Sequence, residues 1–176
     1  MGEAVLTKGI DEASDALRNL WGAYGLLHVP FRLLILAKML DRLASATILR
    51  GEHLTLAEWR VMANLSRTGG STVNALAAES YVDRAEVSRA SRALEKYGLL
   101  ARTQHPASKA KRLLTLTDAG REMATRIGHQ RRHFYSFLLE GLSDEDRRKL
   151  DELLLHLAVR MEQYDPDMAE DLPRAG

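Results

Sequence analysis

The chain contains no cysteine, which excludes a disulfide framework, a thiolate metal site, a cysteine nucleophile and a thiol redox switch together. Proline is scarce, with four in 176 residues, and aromatic residues make up only 6%. Together with long segments rich in Leu, Ala, Arg and Glu, this favours a mainly helical chain. No apolar run approaches the roughly 20 residues that a bilayer requires, and the opening MGEAVLTKGIDEASD carries acids where a signal peptide would be apolar. The expectation is a soluble, cytoplasmic protein. Also missing are a serine in a glycine elbow and a glycine loop that could cradle phosphate. Asp144, Glu145 and Asp146 suit a helix N-terminus better than paired-carboxylate chemistry. His129 and His133 share a helix face, but two nitrogens beside Arg131 and Arg132 make an incomplete, cation-repelling metal site. No catalytic residue, metal or cofactor is expected, and the chain does not read as an enzyme.

What is present is a local concentration of positive charge. Lys and Arg total 25 against 24 Asp and Glu, for a net charge of +1. Between Asp83 and Arg112, however, eight cations face three acids, so this stretch carries +5 and the remainder −4. Charge so segregated implies a polyanionic partner. The 45% hydrophobic content suffices for a sizeable core without staples.

Along the chain, Asp11 to Leu20 is compatible with a frayed helical segment, and Pro30 to Leu49 with the first full helix. Leu33, Leu34, Leu36, Ala37, Leu40, Leu43 and Ala44 cover so much of that first helix that it needs more than one partner, which a second subunit would supply. Thr55 with Glu58 forms a capping box for the next helix, whose Leu56, Trp59, Met62 and Ala63 share a face. Ser71 or Thr72 caps a short helix bearing Val73, Leu76 and Ala77. Asp83 caps a fourth, with Val87, Ala90 and Leu94 inward and Ala85, Ser88, Arg89 and Arg92 outward, and Gly98 stops it. Two apolar runs, Leu99 to Thr103 and Arg112 to Leu116, flank a polar tip from Gln104 to Lys111 and predict a hairpin. Thr117 then caps a helix reaching Leu138, and Ser143 with Asp146 caps a last one with an apolar stripe at Leu150, Leu153, Leu154, Leu157 and Met161.

The predicted architecture is thus mainly α with one small β-hairpin: a winged helix-turn-helix flanked by N- and C-terminal dimerisation helices. The expected divisions are residues 1–50 and 121–176 for the dimerisation helices and tail, and 51–120 for the winged domain.

LTLAEWRVMANL, VDRAEVSRASRALEKYGLLART and LLTLTDAGREM, in this order and spacing, resemble the MarR-type winged-helix transcription regulators. The resemblance runs from about Tyr24 to Tyr164. It implies a homodimer whose fourth helix lies in the major groove of double-stranded DNA while the hairpin tip reaches the neighbouring minor groove. It further implies release from the operator by a small effector. Two features depart from the family habit. Tyr81 stands where the turn before the fourth helix usually has glycine, and His105 and Ser108 occupy the two acid positions of the wing, followed by Lys109 and Ala110.

The residue types assign Arg84, Glu86, Ser88 and Arg89 to base edges and Arg92 to phosphate. In the wing, Lys109, Lys111 and Arg112 supply charge, and Arg102 either contacts phosphate or closes the hairpin by a cross-strand pair. For a ligand, the resemblance points to Tyr24, His28, Arg32 and Trp59. His28 and Arg32, four apart, suit a carboxylate, and Trp59 suits a ring; the alternative makes Tyr24 and Trp59 core residues and Arg32 an intersubunit ion pair. The competing functional reading is a helical protein-interaction module with a degenerate DNA surface.

Overall fold

The computed structural model describes residues 13–22, 25–46, 51–80, 82–105 and 108–165, without the side chains of 105 and 108–111. Its elements are α1 (Asp15–Gly22), a 3-10 turn at Leu26–His28, α2 (Val29–Ala44), α3 (Leu56–Thr68), α4 (Val73–Ser80), α5 (Arg84–Lys96), β1 (Leu100–His105), β2 (Ser108–Leu116), α6 (Asp118–Leu138) and α7 (Asp144–Glu162). This is the mainly helical, single-hairpin class read from the sequence. Tyr24 and Tyr81 lie outside the described residues.

One boundary moves. Helix α1 begins at Asp15 because Ser14 caps it, its Oγ accepting from the Leu17 N–H at 3.3 Å. Helix α2 is α-helical to Ala44 and continues as a π turn over 45–46, where the Ser45 N–H is shared between the carbonyls of Asp41 and Arg42; residues 47–50, and with them the expected end at Leu49, lie outside the described residues.

The chain divides into two compact units, one comprising the described parts of Met1–Arg18 and Phe137–Gly176 and the other Asn19–Ser136. The larger is a winged helix. Its core joins Trp59, Met62 and Leu65 of α3, Leu76 of α4, Val87, Ala90 and Leu94 of α5, Leu100 and Leu114 of the hairpin, and Ala124 and Ile127 of α6. Burial of each large aliphatic side chain stabilises the unit by about 1.5–3 kcal/mol. The predicted start of α3 is reproduced in full: Glu58 N–H donates to Thr55 Oγ1 at 3.2 Å, and Thr55 N–H to Glu58 Oε2 at 2.7 Å. Between α3 and α4 the alternative caps are resolved. Thr72 is the cap, accepting from the Ala75 N–H at 3.2 Å, while Ser71 exchanges two backbone hydrogen bonds with Leu114, at 3.0 and 2.8 Å. This single bridge adds a third strand position to the wing.

The hairpin reaches further than its apolar runs. Register is regular from Leu100–Leu116 to Gln104–Arg112, and the last pair is His105–Ser108. Lys109 to Lys111 are therefore an excess on β2, and most of the segment predicted as an open tip is strand. Pairing satisfies backbone groups irrespective of side-chain polarity, so an apolar pattern underestimates it. The Thr117 hydroxyl closes the base of the wing, donating to Gly98 O at 2.8 Å and accepting from the Gly120 N–H at 3.1 Å. Gly120 is buried there, and a Cβ on it would stand 2.0 Å from the carbonyl oxygen of Leu99.

Glu52, in the turn before α3, takes a two-pronged ion pair from Arg126 of α6, both contacts at 2.8 Å. The turn holds His53 at φ 57, the one non-glycine positive φ among the described residues. The hydrogen bond from Arg126 holds the Glu52 carboxyl below its usual range. A carboxylate whose folded pKa is depressed adds stability above its unfolded value and loses it as pH falls through the folded value. We therefore expect urea midpoints measured between pH 6 and pH 3 to decline less steeply below about pH 4.5 in Glu52→Gln than in the parent. Equal slopes would remove the pair from acid stability.

In the smaller unit, α7 starts at the predicted capping box, with Asp146 N–H donating to Ser143 Oγ at 3.2 Å and Ser143 N–H to Asp146 Oδ2 at 3.2 Å. The Ser143 hydroxyl also donates to that carboxylate, lowering its pKa. Leu150, Leu153, Leu154, Leu155, Val159 and Met161 of α7 are exposed, and so, in the larger unit, are Phe31, Leu34, Leu36, Met39, Leu40 and Leu43 of α2. No single helix among the described residues is long and apolar enough to cross a membrane.

Candidate nucleic-acid interface

Helix α5 is amphipathic in an unusual sense: one face is apolar and the other cationic. Asp83 starts it, its Oδ1 accepting from the N–H groups of Ala85 and Glu86 at 2.8 and 3.1 Å. Val87, Ala90, Ser91 and Leu94 are buried. Ser91 is tolerated there because its hydroxyl donates to Val87 O at 2.7 Å. The inward row anchors the helix against α3 and α4, so the outward row is set by geometry. It presents Arg84, Ala85, Arg89 and Arg92 exposed, with Glu86 and Ser88 half-buried. Gly98, at φ 72, turns the chain directly into β1.

Two of the arginines are held by neighbours. Arg84 Nε donates to Asn74 Oδ1 of α4 at 2.6 Å. Arg102 Nε donates to Glu95 Oε2 of α5 at 3.3 Å, while the residue across the hairpin from Arg102 is Leu114. Of the two roles open to Arg102, cross-strand closure gives way to a pair between wing and helix, because the side chain projects toward α5. Arg102 Nη2 is buried and makes no hydrogen bond. Beside these groups lies a hollow of about 580 Å³ lined by Val73, Asp83, Arg84, Ala85, Ser88, Arg92 and Arg102. Three guanidinium groups and one carboxylate line it, and that carboxylate is engaged in capping α5. Such a surface attracts an anion and offers it fixed donors. In the wing, Arg112 is exposed opposite Gln104, and Lys109 and Lys111 fall in the excess part of β2.

The residues proposed for a ligand occupy separate settings within the same unit. Arg32 donates to Trp21 O at 2.8 Å and stacks over the Trp21 ring, 5.4 Å from its centre. His28 is exposed at the end of the 3-10 turn. Trp59 belongs to the core but also edges a groove of about 260 Å³ between α3 and α6, lined by Ala63, Ser66, Ala124, Thr125, Gly128 and Arg132 as well. Arg131 lies over the Trp59 ring at 5.6 Å and over Tyr135 at 5.2 Å, with its Nη1 buried and without a hydrogen bond. Asn74, Arg131 and Arg132 are the positions that sequence reasoning passed over. Arg131 and Arg132 were noted only as neighbours of the histidine pair, and nothing local marks Asn74. His129 and His133 are both exposed, and no group of three metal-ligating side chains occurs among the described residues.

The sequence model described as the MarR family matches residues 54–109, a span that contains α3, α4, α5, β1 and the first two residues of β2. Several solved structures share the fold. A probable transcriptional regulator from Pseudomonas aeruginosa is 26% identical with a TM-score of 0.65, over 73% of this chain and 96% of that one. BpsR of Bordetella bronchiseptica, described for the regulation of its DNA binding by 6-hydroxynicotinic acid, is 24% identical with a TM-score of 0.63, over 72% and 96%. A mutant MarR from E. coli complexed with operator DNA is 23% identical with a TM-score of 0.65, over 76% and 99%. No curated protein matches the sequence.

Proposed function

We propose, for a winged-helix chain whose residues 54–109 match the MarR family model, that it is a sequence-specific, DNA-binding transcriptional regulator. It acts as a homodimer on a palindromic operator, as a repressor, and is released by a small aromatic or anionic ligand. The observation that carries this reading is the polarity of α5. A fully buried apolar row fixes the helix, and Arg84, Arg89 and Arg92 are exposed away from it, Arg84 and Arg92 lining one hollow with Arg102 of the wing.

In a helix-turn-helix the second helix enters the major groove and phosphate contacts set its register. Arg89 and Ser88 then meet base edges, with Glu86 able to accept from cytosine. Arg92, Arg102, Lys109, Lys111 and Arg112 neutralise backbone charge. The exposed apolar faces of α2 and α7 support dimerisation, since a lone chain would leave those side chains in water. Two recognition helices related by a two-fold require half-sites about one turn of DNA apart. For the ligand, the groove offers Trp59 as an aromatic wall and Arg132 as a cation, with Arg131 stacked over the Trp59 ring. A ligand favouring one spacing of the paired winged domains would oppose operator binding reciprocally.

The test is titration of duplex DNA carrying the promoter of the protein's own gene at several salt concentrations. Affinity is expected to fall steeply with salt, by roughly 0.9 logarithmic units per decade for every phosphate neutralised. A flat response, or no binding, overturns the regulator reading. Repeating the titration with aromatic carboxylates should weaken binding for at least one of them, and unchanged affinity across the set removes the ligand from the proposal.

A further inference from the structure

Resting on the DNA-binding reading, we propose that Asn74 is a positioning residue which makes Arg84 a phosphate anchor instead of a base reader. Helix α4 contributes Asn74 at its second position and α5 contributes Arg84 at its first, and the 2.6 Å hydrogen bond between them spans the turn of the helix-turn-helix. A guanidinium has two edges that can bind an acceptor pair: the side edge of Nε with one Nη, and the end edge of the two Nη groups. Asn74 occupies Nε, so the side edge is spent and the end edge is what remains for DNA.

The direction of that end edge follows from the surroundings. Arg84 lines the same hollow as Arg92 and Arg102, and Asp83, its one acidic wall, is committed to the Ala85 and Glu86 N–H groups. Both side chains of the latch are exposed, so the hydrogen bond adds little to folding and serves instead to restrict a long, flexible cation. In a helix-turn-helix the first helix crosses the DNA backbone. An arginine tied to α4 is therefore held on the backbone side of the reading helix, away from the base edges that Arg89 faces. Ordering Arg84 before DNA arrives removes part of the entropy cost of binding.

The experiment compares Asn74→Ala, Arg84→Ala and the double variant on operator and random duplexes over a range of salt. Asn74→Ala should weaken both duplexes alike, roughly 3-fold, with an unchanged base preference in a selected library. Arg84→Ala should weaken both further and lower the salt slope by about one. The double variant should bind as Arg84→Ala does, because Asn74 acts through that side chain. Thermal midpoints of all variants should match the parent, which separates positioning from folding. A changed preference at one base pair in either single variant overturns the proposal, as does an Asn74→Ala penalty that persists undiminished in the Arg84→Ala background. If the parent binds duplex DNA with the expected salt dependence and Asn74→Ala equals it, the latch alone fails. If the parent shows no such binding, the regulator reading fails and the latch with it.

Discussion

Gly120→Ala is expected to cost at least about 3 kcal/mol of stability, at the upper end of what overpacking does, lowering the melting midpoint by roughly 6–12 °C. The added methyl would stand 2.0 Å from Leu99 O, and backbone atoms cannot swing aside as a flexible side-chain end can. Relief would require moving the first turn of α6 off the base of the wing, breaking the Thr117 contacts with Gly98 O and the Gly120 N–H. Gly128→Ala supplies the contrast. Also within α6, its new Cβ would meet Arg132 Nη1 at 3.6 Å, an ordinary contact, so the gain in helix propensity should stabilise by about 0.5–1 kcal/mol. Paired thermal melts check both, and a Gly120→Ala variant as stable as the parent would show that α6 and the wing are not packed as described.

Arg89→Ala should lower affinity for the selected operator by roughly 5- to 150-fold, the range of one bidentate arginine–guanine contact, while affinity for random duplex falls far less. Unlike Arg84 and Arg102, Arg89 has no neighbour holding it among the described residues, and it stands exposed on the face opposite Val87 and Ala90. A side chain so placed can reach a base edge from the middle of the helix. Competition binding on the selected and scrambled duplexes decides the point: equal losses on both would turn Arg89 into another backbone contact.

The elements that carry these predictions were legible to different degrees. Both capping boxes, the Asp83 cap and the buried row of α5 could be read because each depends on residues within one or two turns of one another. The Ser71–Leu114 bridge could not, since its partners are 43 residues apart and exchange only backbone groups. For the same reason the wing's strands outran their apolar pattern. Gly120 was visible in the motif LTLTDAG, yet the carbonyl that forbids a side chain there comes from Leu99, beyond any local periodicity. At the candidate interface, composition located the cationic helix and wing, but which arginines are tethered depends on Asn74 and Glu95. Neither residue differs in type from many on a solvated surface.

The Ser71 bridge fastens the hairpin to the turn between α3 and α4, and Arg102 pairs the same hairpin with α5 through Glu95. Wing and α5 are thus joined at two points, like the jaws of a caliper. If the hairpin enters the minor groove while α5 lies in the major groove, such a caliper fits best where the local groove width matches the jaw spacing, and any other width is met by deforming the duplex. The operator should then show preferences at base pairs no side chain touches, set by how cheaply those steps narrow or widen.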